Sequence, residues 1–314
     1  MSPSILIVGA TGNTGRSVTE TLSGFLEASK TLSNHRVLAL TRSKESEPAQ
    51  HIAKLPGVEV IEQNWVEITA DWLRKHEVER AFIASHNQPN QFAEESNFHL
   101  AALLAGVKYV VRISTTAANV RPDSKAYYPR SHWAVESMLS TPEFEKLQWT
   151  SLQPNVFSTL VLSPAAEFIK QYRKDGKQQT LKLMNSPDAP VGIIDPYDVG
   201  YLAARLLSQD DPSTHNRAKY VLNGPEDITG EGIVELIEGY IGTKVEHVVF
   251  KDTSFIEQMA EEATDSKHLI LSIKEAPVTA WEGKCTSSTT SKEIFDIAAP
   301  KSTPSEVLKM LLGE

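Results

Sequence analysis

Residues 9–16 read Gly9-Ala10-Thr11-Gly12-Asn13-Thr14-Gly15-Arg16 and follow directly on the apolar run Ile5-Leu6-Ile7-Val8. An apolar strand that ends in glycines and passes into a helix is the phosphate-binding turn of a dinucleotide fold. Gly9 permits the tight turn. Gly12 has no side chain to keep a pyrophosphate off the backbone. Gly15 lets a helix starting near Asn13 approach the sheet closely while its first amides face the anion. Thr11, Asn13 and Thr14 share the turn and join the three glycines as candidate cofactor contacts. The spacing is G-x-x-G-x-x-G, not the G-x-G-x-x-G of ordinary dehydrogenases.

Outward from this turn, short apolar runs alternate with amphipathic stretches. Strands are expected at Ile5–Val8, Arg36–Leu40, Val58–Ile61, Ala81–Ala84, Tyr109–Ile113 and Trp149–Leu152, with helices at Asn13–Ala28, Glu45–Lys54, Ala70–His76, Gln91–Ala105 and Arg130–Ser140. Runs of Val, Ile and Leu without alternation suit strands covered on both faces. The pattern predicts an α/β fold: a Rossmann-type, doubly wound parallel sheet with right-handed crossovers. Ligands of such sheets bind beyond the carboxyl ends of the strands. Five loops meet at that edge: Gly9–Gly15, Thr41–Lys44, Ser85–Asn90, Ser114–Asn119 and Gln153–Phe157.

Beyond Phe157 the alternation loosens. A helix is expected at Ala165–Arg173, short strands at Leu181–Met184 and Val191–Ile194, and a helix at Tyr197–Leu207. Strand Tyr220–Leu222, helix Gly230–Ile241 and strand Val245–Phe250 follow. The division expected is a nucleotide-binding domain over 1–157 and a smaller substrate or lid region over 158–314, some of whose elements return to the main sheet. Glu282–Ser291 reads as a surface loop. Thr303-Pro304-Ser305-Glu306 has the pattern of a capping box before a helix over Val307–Leu312.

The chain has 314 residues, 40% hydrophobic and 23% charged, as in ordinary globular proteins. Its 31 basic against 40 acidic residues give a net charge of -9, which disfavours nucleic acid or an anionic membrane as main partner. A small molecule is the expected partner. The single cysteine, Cys285, excludes an intramolecular disulfide. No signal-peptide pattern and no apolar stretch of about 20 residues occurs, so a cytoplasmic location is expected.

At the end of the second strand, Thr41-Arg42-Ser43-Lys44 replaces the carboxylate that would hold an NAD ribose. Arg42 and Ser43 suit a 2′-phosphate, since a guanidinium binds phosphate as a planar fork. NADP(H) is therefore the expected cofactor. Asp195-Pro196-Tyr197-Asp198 reads as a helix start, with Asp195 as N-cap and Asp198 against the dipole. It is not read as a metal site. Nor does His86 have a second ligand at metal spacing, and no metal is expected.

The chain resembles the NmrA-like family of atypical short-chain dehydrogenases/reductases. The resemblance rests on the turn at 9–15, Thr41-Arg42-Ser43, Pro56-Gly57-Val58-Glu59-Val60, His132-Trp133-Ala134-Val135-Glu136 and Gln153-Pro154-Asn155-Val156-Phe157. Ile194-Asp195-Pro196-Tyr197-Asp198-Val199-Gly200 and Leu222-Asn223-Gly224-Pro225-Glu226 extend it. Fungal members acting in aromatic polyketide pathways are the nearest in likeness. The family implies NADP(H) binding, and its members divide into reductases and non-catalytic redox-sensing regulators that signal through a protein partner.

The superfamily signature Tyr-x-x-x-Lys implies a tyrosine acid activated by lysine. Here Tyr127-Tyr128-Pro129-Arg130-Ser131-His132 keeps the tyrosine spacing, but His132 stands in the lysine position. His132 is either a proton donor or a hydrogen-bonding spacer. Pro129 is expected to start the helix, which would leave Tyr128 at its entrance and off its face. The resemblance implies further that Ser114, Thr115 and Thr116 end the fifth strand near cofactor and substrate, with Thr116 closest to the place of the superfamily's carbonyl-binding serine. Ser85, His86 and Asn87 lie on a loop near the cofactor, and Pro154 and Asn155 border the nicotinamide. Asn87, Tyr127 and Phe157 complete the expected substrate site. Two functions follow: an NADP(H)-dependent oxidoreductase acting on a small aromatic, ketone or quinone-like compound, or a non-catalytic NADP(H) sensor.

Overall fold

The unalternating apolar runs do form buried strands. A computed structural model describes residues 2–29, 32–263 and 266–314. Its strands are β1 Ser4–Val8, β2 Arg36–Thr41, β3 Val58–Glu62, β4 Val78–Ile83, β5 Tyr109–Ile113, β6 Gln148–Pro154, β7 Leu181–Lys182, β8 Ala218–Leu222 and β9 Val248–Val249. Seven run parallel in the order β3-β2-β1-β4-β5-β6-β8, while β7 pairs with β9 separately. The order reverses between β1 and β4, and ligands of open α/β sheets bind at the carboxyl edge of that switch point.

The helices are α1 Asn13–Ala28, α2 Glu47–Ile52, α3 Ala70–Lys75, α4 Gln91–Ala105, α5 Tyr127–Leu139, α6 Ser158–Asp175, α7 Pro196–Leu207, α8 Gly230–Ile241, α9 Ser254–Glu262, α10 Lys267–Leu271, α11 Val278–Trp281, α12 Lys292–Ala298 and α13 Pro304–Leu312. One face of the sheet is covered by α1 and α7, whose Val18, Leu22, Val199 and Leu202 are fully buried. The opposite face carries α4 and α5 around Phe98, Val135 and Trp149. A Cβ on Gly200 would lie 2.5 Å from the Thr14 carbonyl oxygen and 2.6 Å from Ser17 Cβ, so α7 sits this close to α1 only because that residue is glycine. Among the described residues no helix is long and apolar enough to cross a membrane.

Several expectations for the second half change. Helix α6 begins at Ser158, seven residues before the expected start, and continues through Pro164. Val191–Ile194 forms no strand; it makes single bridges, Phe157 to Ile194 and Val191 to Ile228. The strands expected at Leu181–Met184 and Val245–Phe250 shrink to β7 and β9, two residues each, because each has only the other as partner. Glu282–Ser291 is no loose surface loop. Cys285 is buried, and its carbonyl accepts from the Gly192 amide at 2.9 Å. Ser291 exchanges hydrogen bonds with Val221 of β8, at 3.0 and 2.9 Å, so the segment straps the edge strand. The capping box at Thr303 and Glu306 and the Asp195 cap are both present.

Candidate active site

The glycine turn delivers the close approach its spacing demands. Gly9 adopts φ +84°, in the left-handed region that favours glycine, and its carbonyl accepts the Gly12 amide at 2.9 Å. A Cβ on Gly15 would lie 2.0 Å from the Gly9 carbonyl oxygen, so only glycine lets α1 start here. Gly12 is the N-cap and supplies no side-chain cap to the first turn. The amide end of α1 is thus left open to an anion, and Gly12 and Asn13 are exposed. Thr11 is half-buried beside them. Thr14 is buried, so its contribution to a ligand there is its backbone amide.

At the end of β2, Arg42 is exposed and has no ion-pair partner among the described residues. The Ser43 amide donates to Thr41 Oγ1 at 3.1 Å, which fixes the turn, and the Lys44 amide occupies the Glu62 carboxylate at 3.0 Å. Residues available to a dinucleotide therefore fit its two anionic ends: an uncapped helix start for the pyrophosphate and a free guanidinium for a ribose phosphate.

Helix α5 begins two residues earlier than expected. Pro129 is its third residue, which costs no hydrogen bond because the first four helical amides have no intrahelical acceptor. Tyr128 and His132 are consequently one turn apart on one face, ring centroids 6.4 Å apart and near-perpendicular. Burial raises the Tyr128 phenol, opposed by a hydrogen bond with Thr115. Tyr127 is buried, and its hydroxyl donates to the Asn87 carbonyl. Burial pushes its phenol up to about 12.

Beneath these residues lies a charged network. Arg112, in the middle of β5, is fully buried; its Nε donates to Glu95 at 2.7 Å, one terminal nitrogen to Ser151 at 3.0 Å and the other to His132 Nδ1 at 2.8 Å. Glu136 of α5 stands 3.5 Å from Arg112, accepts from Ser151 at 2.7 Å and from Gln153, and pairs with the half-exposed Lys219 at 3.3 Å. Two cations thus face two buried carboxylates, as buried charge requires. Burial alone would raise Glu95, but Arg112 and His99 outweigh it and hold the carboxyl well below its usual range. Burial, reinforced by the Arg112 charge, lowers His132 to about 3, so its imidazole is neutral.

A cavity of about 440 Å³ opens above this network. Asn87, Thr116 and Tyr128 form its sheet side, Val156, Leu160 and Met184 one wall, and Phe255, Met259, Ile273 and Trp281 from α9 to α11 its cover. Among the described residues no Lys, Arg, His, Asp or Glu lines it. Two buried polar atoms near this edge, Ser114 Oγ and Gln91 Oε1, have no hydrogen-bond partner among the described residues.

Other expected residues have structural partners. Ser85 donates to Glu95 at 2.7 Å. His86 pairs with Glu94 through Nε2 and accepts the Gln88 amide at Nδ1, which folds the loop on itself. Asn155 spends its amide on Gly192, Cys285 and Asn223, next to Pro154 at the end of β6. Phe157 is not in the cavity wall; it packs into the core on the α1 and α7 face of the sheet. Arg112, Glu95, Glu136 and the cover from α9 to α11 were not anticipated. The available signal was a single arginine inside the run Tyr109-Val110-Val111-Arg112-Ile113, which no covered strand carries without a buried partner.

The model of the NmrA-like family matches residues 1–279. The chain belongs to the NmrA-like family. No curated protein matches the sequence. Among solved structures, the NADPH-dependent quinone oxidoreductase of Escherichia coli, in complex with NADPH, is 20% identical with a TM-score of 0.72, over 98% of this chain and 99% of that one. Triphenylmethane reductase of Citrobacter sp., in complex with NADP(H), is 19% identical with a TM-score of 0.69, over 98% and 100%. NmrA, a negative transcriptional regulator in complex with NAD, is 14% identical with a TM-score of 0.63, over 99% and 91%. These solved structures share the Rossmann-type fold of this chain.

Proposed function

We propose that this chain is an NADP(H)-dependent oxidoreductase that reduces a small, uncharged aromatic ketone or quinone-like carbonyl compound. One observation carries the reading: a cavity whose described lining has no charged side chain opens on the same sheet edge as the uncapped glycine turn. Two of the similar structures hold NADPH or NADP(H) and are named as reductases, which supports it. Gly9, Gly12, Gly15 and the amides of Asn13 and Thr14 would hold the pyrophosphate, and Arg42 with Ser43 the 2′-phosphate. Bound there, the reduced cofactor supplies a hydride. The carbonyl carbon gains it while the π pair moves to oxygen, and that oxygen takes a proton from the Tyr128 hydroxyl, which water replenishes. Thr116, which lines the cavity, would hold the same oxygen. His132 is neutral with its lone pair on Arg112, so it positions its neighbours and does not deliver the proton. A place in secondary metabolism rests on the family resemblance.

A second reading, a sensor that binds NADP(H) without turnover, is favoured by His132 standing where the superfamily's lysine would activate the tyrosine. Calorimetric titration with NADPH, NADP+, NADH and NAD+, followed by NADPH oxidation assays with 1,4-naphthoquinone and aromatic ketones, separates the two. Phosphate-dependent binding with turnover supports the reductase. Binding that discriminates reduced from oxidised cofactor, without turnover, establishes the sensor. Failure of all four nucleotides to bind overturns both.

A further inference from the structure

We infer that Asn87 is the group that polarises the substrate carbonyl, and that Arg112 and His132 act together to turn its amide N–H groups toward the cavity. The inference rests on the reductase reading and follows from donor chemistry. A guanidinium has no acceptor, so the 2.8 Å contact from Arg112 obliges His132 Nδ1 to carry the lone pair. The imidazole proton therefore sits on Nε2. Asn87 Oδ1 lies 3.2 Å from Nε2 and is the acceptor for that proton. The Gln91 amide nitrogen, 3.3 and 3.2 Å from the two ring nitrogens, has Ser85 at 3.1 Å and Glu95 at 3.5 Å as acceptors for its two N–H groups. With Oδ1 held by His132, the Asn87 amide cannot flip, and its two N–H donors have no acceptor among the described residues. Asn87 lines the cavity, and the Tyr127 hydroxyl holds its backbone carbonyl.

The arrangement is a preorganised donor beside a surface where charge develops on oxygen, in a site free of competing charges. A lysine at position 132 could only donate and would hold Oδ1 less directionally; the histidine transmits the fixed donor direction of Arg112 across the ring. Asn87 touches substrate and is a catalytic residue, whereas His132 and Arg112 are positioning residues.

The test uses ¹³C-carbonyl 1,4-naphthoquinone bound to the full chain with NADP+, which has no hydride to give, read by infrared difference spectroscopy. Asn87→Asp keeps the acceptor for His132 and the side-chain shape but donates nothing. The expected result is a carbonyl band at lower frequency in the parent than in N87D, with the N87D kcat for NADPH oxidation down about 100-fold and NADPH affinity unchanged. His132→Ala should broaden the band and raise its frequency without loss of quinone affinity. An identical band in parent and N87D, with quinone bound to both, overturns the role of Asn87 and leaves the reductase standing. Failure of the parent to bind the quinone overturns the reductase reading and this inference together.

Discussion

The two halves of the candidate site are made by opposite means. The glycine turn is built from main chain within seven residues, and its function is created by absence: no Cβ at Gly15, no side-chain cap at Gly12. The network under the cavity is built from side chains of five elements, α4, β5, α5, β6 and β8, and its function is created by charge held out of water. The first tolerates almost no added atom and little depends on charge. The second tolerates no lost charge. This contrast predicts how each region fails.

The largest effect should come from Arg112→Met. It leaves Glu95 and Glu136 facing each other without the guanidinium between them, and removing one partner of a buried pair costs about 3–5 kcal/mol. The midpoint of urea unfolding should fall accordingly; a midpoint within experimental error of the parent would show that the network is not holding charge. Gly15→Ala should follow. Its Cβ must displace backbone at 2.0 Å, an overpacking of about 1–3 kcal/mol, and calorimetry should show NADPH binding weakened more than tenfold. Retained affinity would show that the turn is structural only.

Acid provides a third separation. His132 takes up its proton near pH 6.5 when unfolded but only near 3 when folded, so the unfolded state binds more protons between those values and stability falls as the pH falls. From pH 7 to pH 5 this one residue should remove about 2 kcal/mol. Burial likewise lowers His99 despite the opposing Glu95, and adds to the same loss. The carboxylates Glu95 and Glu136, held low by Arg112, contribute their loss further down, below their unfolded range. Asn in place of His132 should flatten the pH 5–7 part of the melting-temperature profile, whereas Gly12→Ala should leave its shape unchanged. The smallest effect is expected at the outer rim: Arg42→Ala should weaken NADPH by about tenfold, roughly 1.4 kcal/mol, with NADH binding unaltered. Equal affinity of parent and variant for NADPH would remove Arg42 from the site.

Where the contacts are local, the sequence is explicit. The turn at Gly9–Gly15, the caps at Asp195 and Thr303 and the seven strands of the main sheet can be read from adjacent residues, because strand burial and helix initiation depend on neighbours within a few positions. The start of α5 is less legible, because proline is tolerated throughout the first helical turn and Pro129 stands third in it. Helix α6 runs through Pro164, ahead of the start expected at Ala165. Glu282–Ser291 looked like a loop because its hydroxyls are polar, yet they satisfy the backbone and side chains at the end of β8.

The sequence by itself determined the sheet, the phosphate-binding turn and the carboxyl edge where five loops meet. Each follows from the period of apolar residues or from the steric reach of glycine. Only the tertiary structure decided that Arg112 reaches His132, twenty positions away on another element, and that His132 in turn holds Asn87, forty-five positions back. It also decided that the segment from α9 to α11 covers the cavity. The reason is physical: a hydrogen bond between distant residues leaves no period in the chain, and which nitrogen of a histidine carries the proton is set by the partner that folding places against it.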